Sequence, residues 1–285
     1  MRPPLRLPFT KMHGQGNDFV MLNGIAHPQA RTLTPSQIRA IADRHFGIGC
    51  DQVLLVEPPI STAADFRYRI FNRSGEEVEH CGNGARCFAV FVLAEGLSSK
   101  TALTVETING IIHPRIKNDG SVTVDMGAPI FAPCEVPFQA DAAALTYPFD
   151  VGSKTIALGV LSMGNPHAVQ RVADVELAPV TIEGPLIEHH VRFPRRVNVG
   201  YMQIVERNHI RLRVWERSAG ETLACGTGAC AAVVTGIRWG LLDATVRVTT
   251  HGGDLSVTWQ GLRDASAPVL LSGQATTVFR GVFDL

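Results

Sequence analysis

Lysine is nearly missing from this chain: Lys11, Lys100, Lys117 and Lys154 are the four among 285 residues. A pyridoxal phosphate enzyme holds its cofactor through a Schiff-base lysine, and none of the four lies in the two motifs that stand out below. Net charge is missing as well. With 26 basic residues against 26 acidic ones, no overall field draws in nucleic acid or an anionic membrane surface. No stretch approaches the ~20 apolar residues of a membrane span, and MRPPLRLPFTKM at the start is broken by prolines where a secretory signal runs unbroken. A cytoplasmic protein is expected, with neither membrane nor nucleic acid as partner. No Walker-type loop, strand-linked GxGxxG or HExxH occurs, which leaves no positive case for nucleotide or zinc hydrolase chemistry. The spacings Cys81-x5-Cys87 and Cys225-x4-Cys230 miss the paired ligands of structural zinc, so no metal is expected. The six cysteines are expected as reduced thiols.

What the chain does contain is a duplication. FNRSGEEVEHCGNGARC, Phe71 to Cys87, set without gaps over WERSAGETLACGTGACA, Trp215 to Ala231, agrees at seven of seventeen positions. The matches are Arg73/Arg217, Ser74/Ser218, Glu77/Glu221, Cys81/Cys225, Gly82/Gly226, Gly84/Gly228 and Ala85/Ala229. Each copy places a thiol at a Gly-rich turn that opens an apolar helix. Built twice, that element can set two sulfurs face to face across a cleft, a geometry suited to removing a proton on one side and returning it on the other.

The surrounding pattern predicts an α+β fold of two pseudo-symmetric halves, each a strongly curved mixed sheet around a central helix. The halves are expected at 1–125 plus 273–285, carrying Cys81, and at 126–272, carrying Cys225. Alternating apolar stretches predict strands at Phe66 to Phe71, Leu103 to Glu106, Val122 to Asp125, Ile210 to Trp215, Val246 to Thr250 and Leu255 to Trp259. Thr34 followed by Pro35 predicts a helix start, with the end near Gly47, and a second helix is expected from about Pro179 to His189. Ala85 to Leu93 and Ala229 to Leu242 are too apolar around their circumference to lie on a surface, and predict the central helices.

A thiol at a helix start meets unpaired backbone N–H groups and the positive end of the helix dipole, which favour thiolate. The glycines of the two turns are expected to let a ligand approach the backbone, whose amides can hold a carboxylate. Glu216 stands where the first copy has Asn72, so matched thiols face unmatched surroundings, as an acid and base pair requires. His167 can act similarly, or be an ordinary core or surface histidine. Amides recur at comparable distances before each cysteine: Asn17 and Asn165, then Gln52 and Asn198. Cys50, Cys87, Cys134 and Cys230 have no such duplicated setting and are expected to be structural.

Six ordered motifs make the chain recognisable: MHGQGNDFV, RHFGIGCDQ, EHCGNGARC, MGNPH, RVNVGYMQ and ERSAGETLACGTGACA. From about Phe9 to Gly240 they closely resemble the diaminopimelate epimerase family. The resemblance implies a cofactor-free epimerase that interconverts LL- and meso-2,6-diaminopimelate, on the route to lysine and peptidoglycan precursors, and it suggests a homodimer. It further implies that Cys81 and Cys225 are the two acid/base thiols, tuned by His167 and Glu216. Substrate would then be bound by Asn17, Gln52, Asn72, Gly82, Asn83, Asn165, Asn198, Glu216, Arg217, Gly226 and Thr227. The run NRSGEE, Asn72 to Glu77, departs from the family's usual NADGSE-like sequence by placing Arg73 where a small residue is common.

Two rivals remain. A proline racemase or phenazine-pathway isomerase would share the twin helices, but a substrate with a second amino-acid head calls for a bidentate carboxylate clamp such as Arg217, which a cyclic imino acid does not. A redox switch or metal module without turnover would show retained zinc or a midpoint potential near that of the cytosol.

Overall fold

Two short hairpins organise the molecule, each delivering a long helix into the middle of a mixed sheet. The computed structural model describes residues 5–78, 82–264 and 266–285. Cys81 lies outside the described residues.

The first strands are β1 (Arg6–Gly14), β2 (Asn17–Asn23), β3 (Gln52–Glu57), β4 (Phe66–Asn72) and β5 (Glu77–Val78), with helices α1 (Pro35–Ala42) and α2 (Gly82–Ala94). Then come β6 (Val105–Thr107), β7 (Gly110–Ile112), β8 (Arg115–Ile116), β9 (Val122–Asp125), β10 (Tyr147–Val151), β11 (Lys154–Ser162) and β12 (Pro166–Arg171). Helix α3 (Val180–Glu188) precedes β13 (Asn198–Glu206), β14 (His209–Glu216) and β15 (Gly220–Thr222). Helix α4 (Gly226–Arg238) is followed by β16 (Thr245–Thr250), β17 (Gly253–Thr258), β18 (Leu270–Gly273) and β19 (Thr276–Asp284). The chain divides into one unit of Met1–Val124 with Gly273–Leu285 and another of Asp125–Ser272.

Within the first unit the strand order is β19-β1-β2-β3-β4-β6-β7, with β5 paired to β4. The second unit repeats it as β10-β11-β12-β13-β14-β16-β17, with β15 paired to β14 and β18 added beyond β17. Strand senses agree pair by pair: β2–β3 and β12–β13 are parallel, as are β4–β6 and β14–β16, and the remaining pairs are antiparallel. The hairpins share register too, Ile70 opposite Val78 and Val214 opposite Thr222. The duplication is therefore one of topology, with the outer strand supplied by β19 in one unit and by β10 in the other.

Alternation along the strands fills both faces of each sheet. In the first unit Val53 and Leu55 join a core with Ile38 and Ile41 of α1, while Leu54 faces α2 beside Tyr68. In the second, Val169, Met202, Leu212 and Val214 pack with α4, and Ala168, Val199 and Tyr201 pack with Val180 and Ile187 of α3. Each such fully buried aliphatic side chain contributes ~1.5–3 kcal/mol. The α+β class and the central helices thus match the sequence pattern, and each sheet also carries a second helix on its other face.

Helix ends differ from expectation for local reasons. Thr34 caps α1 through a capping box with Gln37, but the helix stops at Ala42 because the Asp43 carboxylate accepts from the His45 and Phe46 N–H groups, turning the chain away before Gly47. Helix α4 ends at Arg238, short of Leu242. Gly240, at φ 72°, donates to Ile237 O while Leu241 donates to Gly236 O, the paired bonds of a Schellman stop. Gly96 and Leu97 end α2 the same way, on Leu93 O and Val92 O.

Candidate active site

Cys225 is the N-cap residue of α4, in extended conformation, and is 5% exposed. Its Sγ lies 3.6 Å from Thr227 Oγ1. Burial first, and then the Glu216 carboxylate, push this thiol well above its ordinary pKa; hydrogen bonds from the Thr227 hydroxyl and the Gly228 N–H pull the other way and lose. At Cys225, desolvation and the like charge of Glu216 thus outweigh the helix end, in the direction expected of a neighbouring carboxylate.

Around it the second unit assembles a continuous polar chain. Thr222 Oγ1 donates to Glu216 Oε1 at 2.5 Å. Asn165 Nδ2 donates to Thr227 Oγ1 at 3.3 Å, and Asn165 Oδ1 lies 3.0 Å from His167 Nε2. Burial, followed by the positive charge of Arg217, pushes His167 down to about 3. The imidazole is thus neutral and donates Nε2–H to Asn165. Asn198 accepts the Arg217 backbone N–H at 2.9 Å and donates to Pro166 O at 2.9 Å, so its amide shapes the backbone on both sides. Arg217 donates from Nη1 to Arg195 O at 3.2 Å.

In the first unit Gly82 and Asn83 form the first turn of α2, Asn17 opens β2 and Gln52 opens β3. Asn198 likewise opens β13, the counterpart of β3. Gln52 Nε2 donates to Asn72 Oδ1 at 3.2 Å. Asn83 and Asn17 belong to a directed relay. Arg86 Nη2 donates to Asn83 Oδ1 at 2.6 Å, Asn83 Nδ2 to Asn17 Oδ1 at 3.3 Å, and Asn17 Nδ2 to Asp51 Oδ2 at 3.1 Å. Arginine only donates and a carboxylate only accepts, so the two ends fix the orientation of both amides between them. Arg86, fully buried, also donates to Gln15 Oε1. Asp51 receives Arg44 Nη2 at 2.8 Å, and Arg44 grips Asp18 through two bonds.

The second glycine of each turn serves packing, contrary to the expectation of ligand access. A Cβ at Gly84 would sit 2.3 Å from the Tyr68 hydroxyl, and one at Gly228 would sit 3.0 Å from Val214 Cγ2 and 3.3 Å from Cys225 Sγ. Sequence reasoning missed Arg86, Asp51 and Thr222. Arg86 carried a signal, a charge inside an otherwise apolar helix, whereas Thr222 carried none. Among the described residues no group of three or more His, Cys, Asp or Glu is placed to hold a metal ion, and no helix is long and apolar enough to cross a membrane.

A profile of the diaminopimelate epimerase family matches residues 9–132 and 159–278. The proteins named diaminopimelate epimerase from Burkholderia ambifaria and Nitrosomonas eutropha are 57% and 58% identical over 288 and 282 residues. Both matches cover 99% of this chain, and they cover 99% and 100% of those proteins. Among solved structures, a hydroxyproline epimerase from Agrobacterium vitis superposes with a TM-score of 0.68 at 16% identity, covering 98% of this chain and 93% of that one. A phenazine biosynthesis protein from Bacillus anthracis gives 0.65 at 18% identity, covering 99% of each chain. Those two likenesses speak for the fold alone: an α+β architecture of two mixed-sheet halves, shared with proteins that include an epimerase. At the level of sequence the assignment is narrower. The chain belongs to the diaminopimelate epimerase family.

Proposed function

We propose that this chain interconverts LL- and meso-2,6-diaminopimelate without a cofactor, using Cys81 and Cys225 as its two acid/base groups, in the supply of lysine and peptidoglycan precursors. Family membership supports the activity, and the setting of Cys225 at the start of α4, beside Glu216 and Thr227, carries the chemistry. One thiolate takes the α-proton and becomes a thiol; the other thiol gives its proton to the opposite face of the carbanion and becomes a thiolate. Protons balance, and no electrons change hands.

His167 and Glu216 tune the thiol chemistry. Asn17, Gln52, Asn72, Asn83, Asn165, Asn198, Glu216 and Thr227 hold the substrate, together with Gly82 and Gly226, whose positions in the first helical turns suit a carboxylate. Arg217 clamps the carboxylate remote from the reacting carbon. The protein works in the cytoplasm as a homodimer. Supporting the dimer, β19 presents Val278, Phe279 and Val282 to solvent at 55%, 47% and 52% exposure.

Incubation with LL-diaminopimelate in deuterated water, without added cofactor, tests the reading. Deuterium is expected at the inverted α-carbon of the product alone at early times. Racemisation of proline with no turnover of diaminopimelate would overturn it.

A further inference from the structure

Glu188, the last residue of α3, is 2% exposed, and both of its oxygens accept hydrogen bonds from the segment that ends β14. Oε2 receives Trp215 Nε1 at 2.7 Å, and Oε1 receives the Ser218 backbone N–H at 2.9 Å. Arg196 Nη1 stands 3.7 Å from Glu188 Oε1 and donates to Ser218 Oγ at 3.3 Å. The Trp215 ring packs directly on Gly184 of α3, where a Cβ would lie 2.5 Å from its Cγ. Ser218 itself is at φ 64°, a left-handed backbone that a non-glycine residue adopts only when its surroundings enforce it. Between the two anchored residues lie Glu216 and Arg217.

We infer that Glu188 is a positioning residue: it fixes the 216–218 turn and so sets where Glu216 and Arg217 present their side chains. The inference rests on the reading above that these two meet diaminopimelate. The chemistry demands a carboxylate. Two donors converge on one side chain, so both of its ends must accept; glutamine offers one acceptor and turns an NH2 against the other donor. Aspartate is one methylene short. A buried charge is weak support for stability by itself, whereas a carboxylate bridging an indole and the backbone N–H of a left-handed turn holds that turn in one place. Asn198 pins the same turn from its other side through the Arg217 N–H.

The test is Glu188→Gln in the intact enzyme, read by steady-state kinetics with LL-diaminopimelate and by amide exchange at Ser218. Leaving one of the two donors without its acceptor is expected to raise KM ~10-fold with kcat changed by less than ~3-fold, and to speed exchange at Ser218. Adding Trp215→Phe removes the competing donor and lets the single glutamine oxygen return to Ser218. The double variant should therefore recover most of the KM relative to Trp215→Phe alone, a rescue that a merely structural role would not give. An unchanged KM in Glu188→Gln overturns the inference. If Arg217→Lys raises KM in parallel measurements, the substrate reading of the turn stands and only the positioning role falls; if Arg217→Lys is also silent, both fall. Should Glu188→Gln fail to fold, Arg196→Gln at the exposed edge of the cluster decides, with a KM increase of ~3-fold expected and an unchanged KM overturning the role.

Discussion

Arg213 grips Glu221 through two parallel hydrogen bonds, Nε to Oε1 at 2.6 Å and Nη2 to Oε2 at 2.9 Å. Arg69 holds Glu77 in the same way, at 2.9 and 2.6 Å. The fork locks each short hairpin strand, β5 and β15, to its partner strand. Their Nη1 atoms differ: Arg213 donates from Nη1 to the carbonyls of Val175, Glu176 and Ala178, at 2.9, 3.2 and 3.4 Å, whereas Arg69 donates from Nη1 to Glu57 Oε1 at 3.4 Å. Lysine keeps the charge but loses the planar fork, so Arg213→Lys should lower stability by ~1.5–3 kcal/mol and Arg69→Lys by less. Urea denaturation of both variants checks the order; equal losses would mean that the three carbonyl contacts contribute no more than the single Glu57 contact of Arg69.

Glu216→Gln removes the like charge that, after burial, holds the Cys225 thiol up. The thiol should then ionise at lower pH, and the acid limb of the pH–rate profile should move down with it. A profile displaced nowhere, with KM alone raised, would make Glu216 a substrate ligand and no tuner.

His167 titrates near 6.5 in an unfolded chain and at about 3 when folded. Between those values the unfolded state binds more protons, so this residue's contribution is complete above about pH 6.5 and is lost as pH falls toward 3. Carboxylates such as Asp18, held low by Arg44 and Lys11 against the opposing effect of burial, add their losses only nearer pH 4. Thermal melts of His167→Gln should therefore be flatter than wild type between about pH 6.5 and 4.5. Parallel curves over that interval would place the acid sensitivity elsewhere.

The relay from Arg86 to Asp51 makes a prediction about binding. An amide at residue 51 must turn its NH2 toward either Arg44 or Asn17, so Asp51→Asn should disorient Asn17 and raise KM ~10-fold at little cost in kcat. Arg86→Gln, which frees the other end, should act in the same direction. Steady-state kinetics decide, and a fall in kcat alone would contradict an orienting role.

The proposed homodimer predicts that Phe279→Arg, at a half-exposed position of β19, gives a monomer in sedimentation analysis without changing the fold by circular dichroism. A dimer that survives the substitution would remove β19 from the interface.

Much of this molecule was legible before its structure. The Gly-rich turns, the apolar central helices and the Thr34 cap are local signals, and local signals survive folding. The repeat runs further than identity reveals: Arg69 and Arg213 pair with matched glutamates, and Gly96 and Gly240 close matched helices, because an equivalent role needs only equivalent geometry. The protonation of Cys225 could not be read from its motif. Burial and the approach of Glu216 decide it, and both are tertiary. Asp51 and Thr222 were hidden for the same reason, since an orienting residue is defined by what it touches.

One consequence of the strand order concerns synthesis. β19 closes the first sheet against β1 along eight residue pairs, yet it leaves the ribosome only after the whole of Asp125–Ser272, a contiguous stretch that owns its own outer strand, β10. Nascent domains ordinarily finish in the order they emerge. Here the later-made half can complete itself first, while β1 waits with an open hydrogen-bonding edge of the kind that recruits stray strands. A ribosome stalled before β19 would leave behind a finished second half tethered to a first half whose β1 edge is still open.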